Sequence, residues 1–424
     1  MERRVVITGL GVVAPNGVGL ENFRSALKEG RSGIQFDQQL VDLQFSCQVS
    51  GTPLIDKEKL HQYFTDLELR NFNSTGIMYG VIAGLDAWKD AGLEIIKDEN
   101  PDWDSGTIFG AGTSGIEKFR ESIYKIDALQ TRRLGSTAVS QTMNSGVTAY
   151  LGGKLGLGNQ VTTNSSACTT GTESILMAFD RIKSGKAKRI LAGSTSDSGP
   201  YIWAGFDAIK VCNYKSNENP EAASRPMSAS AAGFVPGSGA GALVIEDLES
   251  ALARNAKIYC EILGGNINSG GQRGGGSMTA PNSAAVQRCV NDAILDAKIE
   301  ANDIDYISGH LTATSKDATE IQNLAEALKR FGKDFPFINS LKALTGHCLS
   351  AAGSIEAVAT ILQLSENFVA PNVNCEDLNP DISAIIDSES IPQQLLEKEI
   401  NIATKVSFGF GDVNGCVIFK KYST

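Results

Sequence analysis

Residues 164–171, Asn-Ser-Ser-Ala-Cys-Thr-Thr-Gly, decide how this chain is read. They follow a short β-leaning run and open an amphipathic helix. Ile175, Leu176, Phe179 and Ile182 recur there at helical spacing, and Ser184-Gly185 supplies a stop signal. Cys168 therefore falls at the first turn of a helix, where unpaired backbone N–H groups and the positive end of the dipole favour the thiolate. Most cysteines are small buried hydrophobes. Here the small flanking residues leave room for a substrate and turn the reading toward a nucleophile.

The chain has 424 residues, 42% of them hydrophobic, enough for two or three domains or one large two-fold unit. A net charge of −10 argues against nucleic-acid binding. There is no run of 18 or more apolar residues, so no membrane span is expected. Met1 to Ile7 imitates the start of a signal peptide, but Gly9, Gly11, Pro15 and Gly17 interrupt it, and a buried strand is expected instead. Eight cysteines without CxxC or regular spacing fit free thiols in a reducing cytoplasm. Only three histidines occur, His61, His310 and His347.

Strands and helices alternate throughout, which implies α/β layers. Strands are expected at 4–13, 106–109, 189–192, 237–245, 258–263, 304–308, 336–338 and 417–419. Helices are expected at 20–28, 71–91, 116–126, 283–298, 318–331 and 353–364. A helix or linker over 246–255 divides the chain into halves, 1–253 and 254–424. Gly110-Ala-Gly-Thr-Ser-Gly115 matches GxGxxG between a strand and a helix. No acidic residue ends a second strand about 20 residues on, so a dinucleotide site is rejected and close backbone packing explains the glycines. Asn164-Ser165 before Cys168 and Gly171 is echoed by Asn339-Ser340 before His347 and Gly353, a weak sign of duplication.

Three further stretches set polar residues among glycines: Ser308 to Thr314, Asn339 to His347, and Ser407 to Gly415. They sit at strand ends and helix starts, where α/β sheets place ligands. A cysteine with two histidine partners can be acylated and then stabilise a developing enolate or oxyanion. Lys342 is by default a solvated charge, and His61, in a polar helical stretch, is given no role. Cys348 and Cys416 read as core.

The ordered set Ala167-Cys168 with Gly171, Arg225-Pro226, Gly233-Phe234-Val235, His310 with Thr312 and Thr314, Lys342 with Gly346-His347, and Phe408-Gly-Phe-Gly411 resembles a β-ketoacyl-acyl carrier protein synthase nearly end to end. The resemblance implies a thiolase-like α/β fold with two similar halves in five α-β-α-β-α layers. It implies a homodimer, with a heterodimer of related subunits as the variant. It also implies decarboxylative Claisen condensation in fatty-acid, polyketide or polyene-type lipid synthesis. Cys168 would take an acyl group from the phosphopantetheine of an acyl carrier protein, and no cofactor or metal would be tightly bound. His310 and His347 would stabilise the enolate, with Lys342 and Glu320 setting their electrostatics. The N–H groups of Cys168 and Phe410 would form the oxyanion hole, with Phe410 as gate and Phe408 as support. Thr279, Thr312 and Thr314 would contact the pantetheine arm. Arg132 and Arg133 are the candidate docking patch for an acidic carrier.

This sequence departs from the family at Leu311, where Gly is usual, at Asp412, where a second Gly follows the gating Phe, and in a His310–Glu320 loop one residue short. Acidic and arginine residues are missing before Gly233, and Gly237-Ser-Gly239 replaces Gly-Glu-Gly. These changes suggest a specialised pathway. A thiolase would need a second cysteine in the C-terminal glycine loop, and none is there. A catalytically silent chain-length subunit remains the rival, with Cys168 against it.

Overall fold

The computed structural model describes residues 3–423. Met1 and Glu2, the head of the signal-peptide-like stretch, lie outside the described residues; the rest of that stretch enters β1 (Val5–Ala14), a strand buried along its whole length. From β1 the chain makes the same circuit twice. The first pass is β1, α1 (Thr75–Asp90), β2 (Ser105–Ala111), α2 (Gly146–Leu155), β3 (Val161–Thr162), α3 (Thr170–Lys183), β4 (Arg189–Ser196) and β5 (Gly239–Asp247). The second is β6 (Cys260–Ser269), α4 (Ser283–Ala297), β7 (Tyr306–Ser308), α5 (Asp317–Leu328), β8 (Phe337–Asn339), α6 (Ala352–Glu366), β9 (Ile402–Gly409) and β10 (Val413–Lys421).

The strands run β8-β7-β9-β10-β6-β1-β5-β4-β2-β3, and a short Gly17–Val18 piece on β1 makes the sheet 11-stranded. Two leaves meet at an antiparallel seam, Val5 opposite Ile262 and Ile7 opposite Cys260. Outward from the seam, each leaf has two antiparallel and then two parallel pairings. Helices α3 and α6 touch both leaves; α1 and α2 cover one outer face, and α4 with α5 the other. This is the duplicated, five-layer thiolase-like arrangement. Helix α6 is buried all round from Ala352 to Leu364, as a helix in a middle layer must be.

The two central helices meet N-terminus to N-terminus. A Cβ on Gly171 would lie 2.3 Å from the Ser354 nitrogen, and one on Gly353 would lie 2.7 Å from the Thr172 nitrogen. Two hydroxyl pairs repeat the symmetry: Ser194 with Ser354 at 2.7 Å, and Ser407 with Thr172 at 2.8 Å. Counting back three residues from the paired glycines, Gly171 and Gly353, makes Ser350, not His347, the counterpart of Cys168. The echo in Asn-Ser spacing is therefore a few residues out of register.

Some elements escape the sequence pattern. Strand β9 hides behind Lys405, a charge inside an otherwise apolar run. Helix α2 contains Gly146, Gly152 and Gly153, which read as loop. Helix α1 starts at Thr75 because Asn71 takes a left-handed φ of 58°. The GxGxxG glycines are packing glycines: a Cβ on Gly110 would sit 2.2 Å from Thr170 Cγ2, and one on Gly115 would sit 1.9 Å from the Gln141 carbonyl. All eight cysteines are free. Among the described residues no helix is long and apolar enough to cross a membrane.

Candidate active site

Cys168 lies in a single 3-10 turn, Ala167–Thr169, that leads into α3. Ala167 adopts a φ of 50°, a left-handed conformation that a side chain rarely takes and that functional turns can hold. Glu173 secures the turn from the helix by accepting from Asn164 Nδ2 (2.8 Å) and Ser166 Oγ (2.7 Å). The glycine loop closes over it: a Cβ on Gly409 would meet Thr169 Oγ1, the Ser166 carbonyl and the Cys168 nitrogen at 2.9–3.2 Å. That approach brings the Phe410 N–H to the Cys168 sulfur, at which the N–H of Cys168 itself is also directed. Glycine is required there by space rather than by φ.

Burial pushes the Cys168 thiol up to about 11, against the pull of Lys342 and the Phe410 N–H. This corrects the expectation of a resting thiolate. Loss of solvent outweighs the N–H groups of a short turn, so the sulfur is a thiol at neutral pH and must lose its proton as it reacts.

His310 follows β7 and His347 follows the short helix Lys342–Thr345. Their rings are 5.3 Å apart and nearly perpendicular. Phe234 packs edgewise on His347 at 5.1 Å, and Phe408 on His310 at 6.0 Å. Ligand atoms of Cys168, His310 and His347 lie within 4.8 Å of one another, all three residues buried. Both imidazoles are held well below the ordinary histidine value, by burial first and then by Lys342. They are neutral and can act as hydrogen-bond donors. His347 Nδ1 accepts the Leu349 N–H at 3.1 Å, which leaves the ring proton on Nε2. A metal bound at Nε2 would force that proton onto Nδ1, against the Leu349 N–H. The trio therefore suits proton and oxyanion chemistry better than metal ligation.

Lys342 pairs with Glu356 of α6 (2.5 Å), not with Glu320. Glu320 instead accepts the backbone N–H groups of His310 (2.6 Å) and Leu311 (2.9 Å) and so aims the His310 loop. Loss of solvent and the Asp317 charge push Glu320 up to about 7. Asp317 accepts from the backbone of Thr312 (3.0 Å), Ala313 (3.2 Å) and Met227 (2.9 Å). Glu356 and its second cation, Lys405 at 2.9 Å, escape the sequence reading. The available signal is a charge embedded in an apolar run, Glu356 in α6 and Lys405 in β9.

Two cavities meet at the cysteine. One, of about 400 Å³, is lined by Thr279, Thr312, Thr314, His310 and His347. The other, of about 470 Å³, is lined by Ile116, Tyr201, Ile202 and Ser350. Cys168, Phe206, Leu349 and Phe410 line both, and the Phe206 and Phe410 rings are 5.8 Å apart. Asp412 suspends the loop that carries Thr279, accepting from the backbone of Gln272 (3.0 Å) and Asn282 (2.8 Å). Leu311 is fully buried and fills the core beside Gly309. Arg132 and Arg133 are exposed on a 3-10 turn and line neither cavity. His61 lies beside Asp66, outside the site.

The beta-ketoacyl synthase N-terminal domain matches residues 2–251, and the beta-ketoacyl synthase C-terminal domain matches residues 259–376. The 3-oxoacyl-[acyl-carrier-protein] synthase 1 of Haemophilus influenzae is 33% identical over 425 residues, covering 99% of this chain and 100% of that protein. Its Escherichia coli K12 namesake is 33% identical over 99% of both. A beta-ketoacyl synthase structure from Burkholderia phymatum is 28% identical with a TM-score of 0.88, covering 99% of this chain and 100% of that one. A type II PKS ketosynthase solved with its acyl-carrier protein is 26% identical with a TM-score of 0.86, covering 100% of both. The agreement spans both passes of the fold, and the chain belongs to the β-ketoacyl synthase family.

Proposed function

We propose that this chain condenses an acyl group held on Cys168 with a malonyl unit delivered by an acyl carrier protein, as an acyltransferase of fatty-acid or polyketide synthesis. The observation that carries this reading is the meeting of Cys168, His310 and His347 within 4.8 Å at the junction of two cavities. The phosphopantetheine arm occupies the cavity lined by Thr279, Thr312 and Thr314, and the acyl chain passes Phe410 into the other. The Cys168 sulfur attacks the incoming thioester, and its proton leaves with the pantetheine thiol. The N–H groups of Cys168 and Phe410 hold the oxyanion. The malonyl thioester then loses carbon dioxide, and its electron pair forms an enolate whose oxygen accepts hydrogen bonds from His310 and His347. The enolate carbon attacks the acyl carbonyl, and the Cys168 thiolate departs.

The nucleophile half ends near residue 253 and the histidine half begins at 254. A silent chain-length subunit is not favoured, since the cysteine, both histidines and the glycine loop are all assembled. Leu311 and Asp412 support a specialised lipid or polyene pathway, and equal turnover of ordinary fatty-acyl carriers at every length would count against it. Phe119, Ile123, Tyr124 and Leu129, exposed along and just after one helix, support a dimer of this chain or of related subunits, to be checked by light scattering. Arg132 and Arg133 serve carrier docking. Reversing both to Glu is expected to raise KM for the carrier roughly three- to tenfold at low salt and less at high salt.

The test is carbon dioxide release and product formation from labelled malonyl-carrier protein with an acyl-carrier primer, for wild type, Cys168→Ala and His310→Ala. Condensation in wild type and in neither variant is expected. A wild type that releases no carbon dioxide above background with a competent carrier would overturn the reading.

A further inference from the structure

Two lysines share one carboxylate beneath the histidines. Lys342 and Lys405 contact the two oxygens of Glu356, at 2.5 and 2.9 Å, and all three side chains are buried. With both ammonium groups charged, the cluster holds one positive charge more than Glu356 neutralises; burial and the neighbouring Lys342 pull the Lys405 pKa down, and Glu356 opposes them. Lys405 Nζ meets three acceptors: Glu356 Oε2, the Val406 carbonyl and Ser407 Oγ at 3.2 Å. Three acceptors and no donor suit an ammonium. Ser407 in turn pairs with Thr172, in the first turn of the nucleophile helix, at 2.8 Å.

The fold does not need this charge. Strands β4 and β9 are both eight residues long and occupy matching places in the two leaves. At the position of Lys405 the first pass has Ala192, and at the position of Glu356 it has Ser174. Both strands are buried and correctly paired, so the strand itself does not require the lysine; what the second pass adds around it is Glu356, Lys342 and the two histidines.

We infer that Lys405 is a positioning residue for the condensation, supplying with Lys342 the fixed positive field beneath His310 and His347 in which negative charge forms on the enolate. The inference rests on the ketosynthase reading above. A preorganised cation in a water-excluded site stabilises such charge without reorganising during the reaction. The same field disfavours protonated imidazoles and keeps His310 and His347 in the neutral, donating form. The charged and titratable groups facing the pair are Lys342, Lys405 and Glu356 below, Glu320 and Asp317 on the His310 side, and the thiols of Cys168 and Cys348. Burial is the first cause of the low histidine values and Lys342 the second; Lys405 adds to them more weakly, for His310 after the neighbouring His347.

The chain has only three histidines, so their ring carbons can be labelled and titrated individually, with His61→Gln identifying the exposed one. In wild type, neither His310 nor His347 is expected to titrate near its ordinary value. In Lys405→Met, both titrations are expected to move upward by roughly one pH unit. Malonyl-carrier decarboxylation is expected to fall about tenfold or more in kcat with little change in KM, its acid limb moving the same way. Lys405→Arg is expected to restore the titrations in part. If wild type decarboxylates but Lys405→Met matches it in rate and titration, the inference is overturned and the ketosynthase reading stands. If wild type does not decarboxylate, the ketosynthase reading itself fails. Should Lys405→Met not fold, wild type still decides: either site histidine titrating near 6.5 would overturn the inference.

Discussion

The turns that open α3 and α6 are copies of one backbone device put to different ends. Both are 3-10 turns entered through a non-glycine residue at φ 50°, Ala167 in one and Leu349 in the other. Both run into a helix at a glycine that touches its opposite number, Gly171 against Gly353. In the first turn the middle residue is Cys168, open to two cavities and roofed by the glycine loop. In the second it is Ser350, whose hydroxyl donates to the Thr195 carbonyl at 2.7 Å. Duplication supplied two strained turns; the surroundings armed only one. The titratable groups are divided the other way, with His310, His347, Lys342, Glu356 and Lys405 all in the second pass. The site is thus built from a nucleophile on one pass and an electrostatic field on the other.

The strongest test of this division moves the thiol. Cys168→Ala is expected to lower condensation at least about 1,000-fold. Adding Ser350→Cys to that variant should not restore it, because the second turn lacks the facing N–H of Phe410. Mass spectrometry of the intact proteins after exposure to acyl-carrier substrate checks this. The double variant is expected to carry no more acyl adduct than Cys168→Ala alone. A new adduct together with recovered condensation would mean that either turn can serve as the nucleophile's seat.

Next in size is the buried ion cluster. Glu356→Gln leaves two buried lysines without a counter-charge and should cost about 3–5 kcal/mol in denaturant unfolding. Its counterpart change, Ser174→Ala, removes only neutral hydrogen bonds, to Asn164 at 2.7 Å and the Thr170 carbonyl at 2.9 Å, and should cost about 1 kcal/mol. Equal costs would mean that the asymmetry of charge carries no weight in stability.

Gly409 and Ser196 end the matching strands β9 and β4. Ser196 carries a side chain, whereas a Cβ on Gly409 would press on the Cys168 turn. Gly409→Ala should displace the nucleophile and lower kcat about 10- to 100-fold, while Ser196→Ala stays within about threefold of wild type in the same steady-state assay.

The smallest effect is in pH. His310 and His347 have folded values below the unfolded one, so the unfolded chain binds more protons, and their contribution to stability falls as pH drops through about 6.5. Glu320, at about 7, and Asp317, at about 6, are raised; their contribution is full below about 4 and is lost as pH rises through those values. The two slopes oppose each other between about pH 5 and 7. Relative to wild type, the melting temperature of His310→Ala/His347→Ala should fall more as pH rises across this window, and that of Glu320→Gln should rise more. Thermal melts at three pH values read the sign.

Much of the site is legible in the sequence because it is written locally. Cys168 before a helix, His310 after a strand and Gly409 in a glycine loop each stand beside the element that positions them. What escapes depends on partners distant in sequence. The family resemblance names Lys342 and Glu320 for the electrostatics of the histidines, but the direct ion partner of Lys342 is Glu356, which α6 delivers across the middle layer. Lys405 masks β9, since a lysine in a strand reads as an interruption until its partner is seen. The resting state of Cys168 escapes for the same reason: a helix start is visible in sequence, whereas desolvation by an opposing loop is not.

The alternation of strands and helices, the order of the reactive residues and the family to which they belong are all contained in the linear chain. They follow from hydrophobic period and from spacing between neighbours. Three properties arise only in the closed fold: the symmetry that matches Cys168 with Ser350, the service of Glu356 to two lysines, and the resting of the cysteine as a thiol. Charge pairing and desolvation depend on distances through space, and the two passes set those distances only once they have packed against each other.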